Sequence, residues 1–289
     1  MTDGGIPKIN WFPGHMTKAL RTIEEDLRQV DAVCEIIDAR IPISSRNPEL
    51  GAIVGSKPRM IILNRCDLAD AAATGKWLRY FRERECPVLE TDSKSGKGTS
   101  AFPGAVRALL KDRLRQYAAK GQTGRPVRVM VAGVPNVGKS TFINKVAKRK
   151  AAAASDRPGV TRGRQWISVD RGLEMLDTPG VLWPKFEDPA VGLNLAFTGA
   201  VKDEVVDTEE LAAALMERLS GDYAPMLASR YGLGDVREKS GRELLEAAAG
   251  KRGFLISGGE KDTLRMAAVL LDEFRAGKIG RISLEEPDA

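Results

Sequence analysis

Val127-Arg128-Val129-Met130-Val131-Ala132-Gly133 runs into Val134-Pro135-Asn136-Val137-Gly138-Lys139-Ser140-Thr141, and this stretch decides the fold. Its first half is an apolar, β-branched run that reads as a buried strand. From Gly133 onward it fits G-x-x-x-x-G-K-[ST], a loop whose backbone N–H groups turn inward and cradle phosphate oxygens. Gly133 and Gly138 supply the backbone freedom that lets the main chain approach an anion. Lys139 reaches the β/γ-phosphates, and the Ser140 hydroxyl is offered to Mg²⁺. Phe142, Ile143, Val146 and Ala147 then recur on one helical face, so the loop feeds a helix whose N-terminus adds a favourable dipole. Pro135, Asn136, Val137 and Thr141 complete the phosphate-contacting set.

Outward from this loop, apolar runs alternate with amphipathic segments. TKALRTIEEDLRQV at 17–30 carries Leu20, Ile23, Leu27 and Val30 at helical spacing. DAVCEIIDAR reads as a buried strand that enters a polar loop holding Pro42 and Pro48, and PRMIILNRCDL as a second strand breaking at Asn64. A helix around 76–84, a short run PVLETD and a helix from about 102 to 120 follow. RQWISVD and LEMLD are two more strand candidates after the phosphate loop. The alternation predicts an α/β fold, a doubly wound, mostly parallel sheet covered on both faces. Beyond Pro184 the pattern turns helical, in AVGLNLAF, EELAAALMERL, GRELLEAAAG and KDTLRMAAVLLDEF. The expected division is a nucleotide-binding domain over 1–185 with an N-terminal arm, and a small all-helical domain over 186–289.

Composition narrows the class. The 289 residues, 43% hydrophobic and 29% charged, match an ordinary globular protein with room for one large domain or two modest ones. No apolar run approaches the eighteen or so residues of a membrane span, and MTDGGIPKINWFPGHM lacks a basic segment followed by an apolar core. A cytoplasmic chain with no membrane partner is expected. Cys34, Cys66 and Cys86 are odd in number and lack metal-ligand spacing. Residues 1–183 hold 31 Lys and Arg against 19 Asp and Glu, whereas 184–289 hold 14 against 20. The basic first part suits a polyanion such as RNA, or is a face of solvated lysines and arginines.

Three further elements carry chemistry. Asp177-Thr178-Pro179-Gly180 follows the apolar LEML run; Asp177 at the strand end can hold Mg²⁺ through water, and the Gly180 N–H can sense a γ-phosphate. Thr161, in the loop Arg157–Gly163, is spaced to close over Mg²⁺ and the γ-phosphate. Asn64-Arg65-Cys66-Asp67 resembles the N-K-x-D element of GTPases, with Arg65 where lysine is usual; the alternative is an Asn/Asp turn after a strand. Asp67 would accept from guanine N1–H and N2–H₂, which adenine does not offer, while Asn64 braces the loop and Arg65 lies over the purine. Ser93-Lys94-Ser95 resembles the S-A-K element, whose main-chain N–H meets guanine O6.

The base-reading elements precede the phosphate loop, the reverse of the Ras-like order, so the sequence looks like a circularly permuted P-loop GTPase. With WFPGHM near the start and KRGFLISGGEKDTLRMAAVLLDEFRAGKIGRISLE at the end, it resembles the ribosome biogenesis GTPase A family over nearly the whole chain. That resemblance implies GTP hydrolysis to GDP, binding to the assembling large ribosomal subunit and its rRNA, and slow intrinsic turnover raised by the subunit. A monomer is expected. The position that in Ras-like enzymes holds a water-orienting Gln is Val181, and the resemblance implies that His15 of the arm takes over that task beside Lys139, Thr161 and Gly180. Read alone, His15 next to Trp11 and Phe12 suits a structural or RNA-stacking role as well. Asn136 is the residue potassium-dependent GTPases use to hold K⁺, or simply one suited to a turn. Arg157, Arg162 and Arg164 flank the Thr161 loop, and Arg237, Lys239, Arg242, Lys251 and Arg252 are candidate RNA contacts of the helical domain. Two rivals remain at this level: an ATPase or kinase using the same loop, and a guanine-nucleotide-sensing scaffold with negligible turnover.

Overall fold

The computed structural model describes residues 14–84, 86–122, 124–147, 166–183 and 186–287, with side chains from residue 20 onward. Among the described residues the chain forms two compact units, one of 14–183 together with 283–287, the other of 186–282.

In the first unit the elements follow in the order α1 (Gly14–Leu27), β1 (Ala32–Asp38), α2 (Pro48–Val54), β2 (Arg59–Asn64), α3 (Ala71–Glu83), β3 (Val88–Glu90), α4 (Phe102–Leu109), α5 (Lys111–Ala119), β4 (Val127–Ala132), α6 (Lys139–Val146), β5 (Trp166–Asp170) and β6 (Leu173–Asp177). The six strands make one sheet in the order β3-β2-β1-β4-β6-β5. All neighbours are parallel except β5 and β6. Every residue of β1 is buried, as expected for a central parallel strand covered on both faces. From β1 the chain winds outward through β2 to β3, and from β4 outward the other way to β6. Strand order therefore reverses between β1 and β4, which pair directly, and ligands of open α/β sheets bind outside the carboxyl ends of strands at such a switch point.

Several boundaries differ from the sequence reading for identifiable reasons. α3 starts earlier than 76 because the Asp70 carboxylate caps the N–H of Ala73 at 2.9 Å. The helix expected over 102–120 divides at the buried Leu110, which takes φ −101° and ψ 14°. The "polar loop" after β1 holds the short α2, capped by Asn47, and Ile41, Ser44 and Ser45 are buried. What covers that loop is the C-terminal tail. Leu284 N–H donates to Arg40 O at 2.8 Å, the Glu285 carboxylate accepts from Ile43 N–H at 2.7 Å and from Ser44, and Asp70 N–H donates to Ser283 Oγ at 3.1 Å. The Trp77 indole N–H donates to Glu285 O at 3.1 Å. Residues 283–287 thus pack with the sheet unit, a correction to the single helical domain expected over 186–289.

The second unit holds α7 (Pro189–Phe197), α8 (Thr208–Asp222), α9 (Ala224–Tyr231), α10 (Gly241–Lys251) and α11 (Thr263–Arg275). Its helix starts are chemically marked, by Asp188, by Asp207 and by a Ser240–Glu243 capping box. α9, unforeseen in the sequence, opens on Ala224-Pro225 and closes on Gly232 in the left-handed region. Among the described residues no helix is long and apolar enough to cross a membrane.

α6 is fixed to the sheet by Phe142, fully buried and edge-to-face with Phe102 at 5.1 Å between ring centroids. Phe142→Ala is expected to destabilise the sheet unit by about 3–5 kcal/mol through the cavity it leaves. Urea denaturation followed by fluorescence checks this, and a loss under about 1 kcal/mol would mean the helix is held otherwise.

Candidate nucleotide-binding site

The carboxyl ends of β1, β2, β3, β4 and β6 carry Asp38, Asn64, Thr91 to Ser93, Gly133 and Asp177, all on one edge of the parallel sheet. Asn64 ties three of the loops together. Its amide Nδ2 donates to Val137 O in the phosphate loop at 2.8 Å. Its Oδ1 accepts from Thr91 Oγ1 at 3.1 Å, Ser93 N–H at 3.1 Å and Ser93 Oγ at 2.7 Å. The structure thereby brings the Asn64–Asp67 and Ser93–Ser95 elements against the phosphate loop, although they lie far from it in sequence. Gly138 makes the approach possible: its φ is +96°, and a Cβ there would sit 2.6 Å from Asn64 Nδ2.

Arg65 completes the attachment. Its Nη2 donates to Asn136 O at 2.5 Å, so consecutive carbonyls of the loop, those of Asn136 and Val137, are both claimed by the Asn64-Arg65 pair. In a trans peptide the N–H points opposite to its C=O. The N–H groups of Val137 and Gly138 are therefore turned away from β2, as a phosphate cradle requires.

Lys139, the first residue of α6, is buried, and its Nζ donates back to Gly133 O at 3.1 Å and Val134 O at 2.8 Å. Burial brings its pKa down to about 8, against the pull of the nearby Asp177. Burial likewise pushes the Asp177 carboxyl up, with Lys139 opposing. Asp177 Oδ1 is buried and has no hydrogen-bond partner among the described residues. Gly180 lies on the loop: a Cβ built there would meet Lys139 Nζ and Pro135 Cα, each at 2.8 Å. Thr178 Oγ1 donates to Val131 O at 2.8 Å and pins the segment to β4. Val181 is buried and its carbonyl accepts from Asn47 Nδ2 at 3.1 Å, so that position faces the interior.

Ser140 is half-buried and Thr141 exposed at the start of α6. Asp67 is exposed at the rim; partial burial, then the neighbouring Asp92, raises its pKa. Of the Ser93-Lys94-Ser95 loop, Lys94 is exposed and its N–H already donates to Asp92 Oδ1 at 2.9 Å, as does Ser95 N–H at 3.2 Å. Meeting a base oxygen requires Lys94 N–H to exchange that partner. Arg157, Thr161, Arg162 and Arg164 lie outside the described residues. His15 falls on the backbone of α1, and its side chain lies outside them too.

Sequence reasoning missed two features. One is the buried pair at the end of β1, where Arg40 Nε and Nη2 donate to Asp38 Oδ1 and Oδ2 at 3.0 and 2.7 Å. The only signal was an Asp and an Arg closing a mostly apolar run. The other is neutralisation within the helical unit. Arg252 pairs with Glu273 at 3.2 Å, and Arg242 pairs with Glu210. Arg230 also binds Glu273, at 2.5 Å, and its hydrogen bonds help hold that carboxyl down at about 2. Of the five cations expected to meet RNA, Arg237, Lys239 and Lys251 are exposed.

Lys139 gives a pH signature. A polyphosphate raises the ammonium's pKa above its free-state value, so affinity is fully present below about pH 8 and falls as pH rises through it. The expected slope is about tenfold per pH unit, measured by calorimetry with GDP, and it should vanish in Lys139→Met.

Comparison with known proteins agrees with this geometry. A family model described as 50S ribosome-binding GTPase matches residues 128–220. Ribosome biogenesis GTPase A of Bacillus cereus is 42% identical over 280 residues, covering 97% of this chain and 94% of that protein. Its counterpart from Priestia megaterium is 44% identical, covering 96% and 97%. Among solved structures, GNP-bound YlqF from T. maritima matches with a TM-score of 0.64 at 31% identity, over 94% of this chain and 99% of that one. At this identity over nearly full length, with the site elements rotated in sequence yet assembled on one sheet edge, the chain belongs to the ribosome biogenesis GTPase A family.

Proposed function

We propose that this chain hydrolyses GTP to GDP during late assembly of the large ribosomal subunit, and that the nucleotide state sets its hold on pre-ribosomal RNA. One observation carries the reading: the Asn64 carboxamide joins a purine-reading loop to a phosphate loop at the β1/β4 switch point. Guanine selectivity falls to Asp67, whose carboxylate accepts from N1–H and N2–H₂; those donors favour the ionised form that burial, and then Asp92, disfavour. Arg65 lies over the purine, and Ser93 and Lys94 close the base edge. Pro135 to Thr141 hold the phosphates, with the Lys139 ammonium released from Gly133 O and Val134 O to the β/γ-oxygens.

The residues present fit Mg²⁺. Asp177 Oδ1 is a buried carboxylate oxygen lacking a partner among the described residues, and the Ser140 hydroxyl is a second hard oxygen donor. Asp177, Ser140 and Thr161 would hold the ion, which when bound neutralises charge building on the phosphoryl oxygens. Gly180, packed on Pro135 and Lys139, would register the γ-phosphate through its N–H. Val181 does no hydrogen-bonding work with its side chain, so the attacking water is oriented elsewhere, and His15 takes that role. Asn136, at φ +59° in the loop, would hold K⁺. Turnover is slow alone and rises on the subunit. The protein acts as a cytoplasmic monomer, its RNA contacts drawn from the basic sheet unit and from Arg237, Lys239 and Lys251.

Multiple-turnover phosphate release with and without large subunits tests the enzyme, and a rate no higher than a single turnover in both would leave a nucleotide-sensing scaffold. Asp67→Asn is expected to weaken GDP by about 10²-fold or more and to favour the xanthine nucleotide, because two charge-assisted bonds are lost. Competition by ADP as strong as by GDP in the unaltered protein would indicate an adenine nucleotide enzyme.

A further inference from the structure

The Asp38–Arg40 pair sits at the end of β1, beside the phosphate loop, and the functional reading above gives it no task. Asp38 is 2% exposed and its carboxylate is more than satisfied by one partner, taking Arg40 N–H at 3.0 Å as well as both guanidinium bonds. A second guanidinium nevertheless lies against it, with Arg65 Nε 3.8 Å from Asp38 Oδ2. The far end of Arg65 holds Asn136 O at 2.5 Å. One planar group is thus gripped on one side by a buried charge and on the other by a loop carbonyl.

The backbone points the same way. Arg65 takes φ +60° and Asn136 φ +59°, the left-handed region, and they are the non-glycine residues with positive φ among those described. Asn tolerates it; Arg does not favour it, and such a conformation persists where the surroundings over-determine it. Asp38 and the Asn136 carbonyl are among the surroundings that hold it. The Arg65 side chain stays 27% exposed, which leaves part of it open to a planar ring.

We infer that Asp38 is a positioning residue for guanine-nucleotide binding: it holds the Arg65 guanidinium in line between β1 and the phosphate loop, setting the height at which the purine stacks. This rests on the reading of Asn64–Asp67 as the base-reading element. Lysine, usual at position 65, makes a single point contact, whereas the arginine fork spans two fixed anchors, and Asp38 is the second anchor. Arg40 acts to keep the Asp38 carboxylate ionised and in place in a buried setting.

A double-mutant cycle on GDP affinity tests it, using Asp38→Asn, Arg65→Ala and the pair, with thermal unfolding measured beside it. Asp38→Asn is expected to weaken GDP about tenfold, and in the Arg65→Ala background to weaken it no further. Guanine over xanthine preference stays unchanged in Asp38→Asn, because Asp67 is untouched. Additive losses, or a lowered melting temperature with unchanged affinity, would overturn the inference and leave Asp38 as scaffolding. If Asp38→Asn does not fold, Arg65→Lys substitutes for it. Lysine cannot span both anchors, so a GDP affinity equal to the unaltered protein's overturns the inference and a loss of several-fold supports it. Should the unaltered protein fail to prefer GDP over ADP, the base-reading assignment itself has failed, a result separable from the cycle.

Discussion

The four hydrogen bonds of the Asn64 side chain are the interaction on which the rest depends. A carboxamide offers a donor and an acceptor on one rigid plane, and here each faces a different loop. Aspartate would set an oxygen against Val137 O, and leucine would leave Thr91, Ser93 and Val137 with unmet polar groups in a buried place. The asymmetry of hydrogen-bond energetics, small gains when made and larger losses when broken, makes such a node costly to vary. Gly138 is glycine on the same account, since the space a side chain would fill is where the amide arrives.

That node also explains why the order of elements along the chain matters little to the site. A doubly wound sheet is set by which strands are neighbours, and β1 beside β4 brings base-reading and phosphate-binding ends together whichever comes first. Moving the termini alters which connections are covalent. Here it places the segment after Gly180 directly before the helical unit, with Thr178 and Val181 fastened to β4 and to Asn47 just ahead of the crossing.

The parts of the structure legible in the sequence were those governed by local rules. The phosphate loop, its strand and helix and the strand that ends at Asp177 follow from periodicity and from residue types with a stereochemical purpose. The Asn64–Asp67 and Ser93–Ser95 elements stood out because the chemistry of reading a purine demands Asn and Asp in short register. What escaped was decided by distant partners. Ile43 and Ser44 look like solvent-facing loop until Glu285 arrives to accept their N–H groups. Asp38 and Arg40 look like an ordinary strand terminus until Arg65 folds over them. Arg242 and Arg252 look like free positive charge until Glu210 and Glu273 meet them. Lone-residue identity carries no record of such meetings.

The return of residues 283–287 to the sheet unit makes the helices an insertion rather than an appendage. Both ends of the excursion are buttoned to the same body, one after Val181 and one at Ser283. Closing a loop costs little more as it lengthens, about 0.6 kcal/mol per doubling, so the inserted cassette can grow, shrink or be exchanged at small thermodynamic expense. Shortening the polypeptide from its far end is a different matter. It would unfasten the Arg40–Ser44 segment before it removed a single helix.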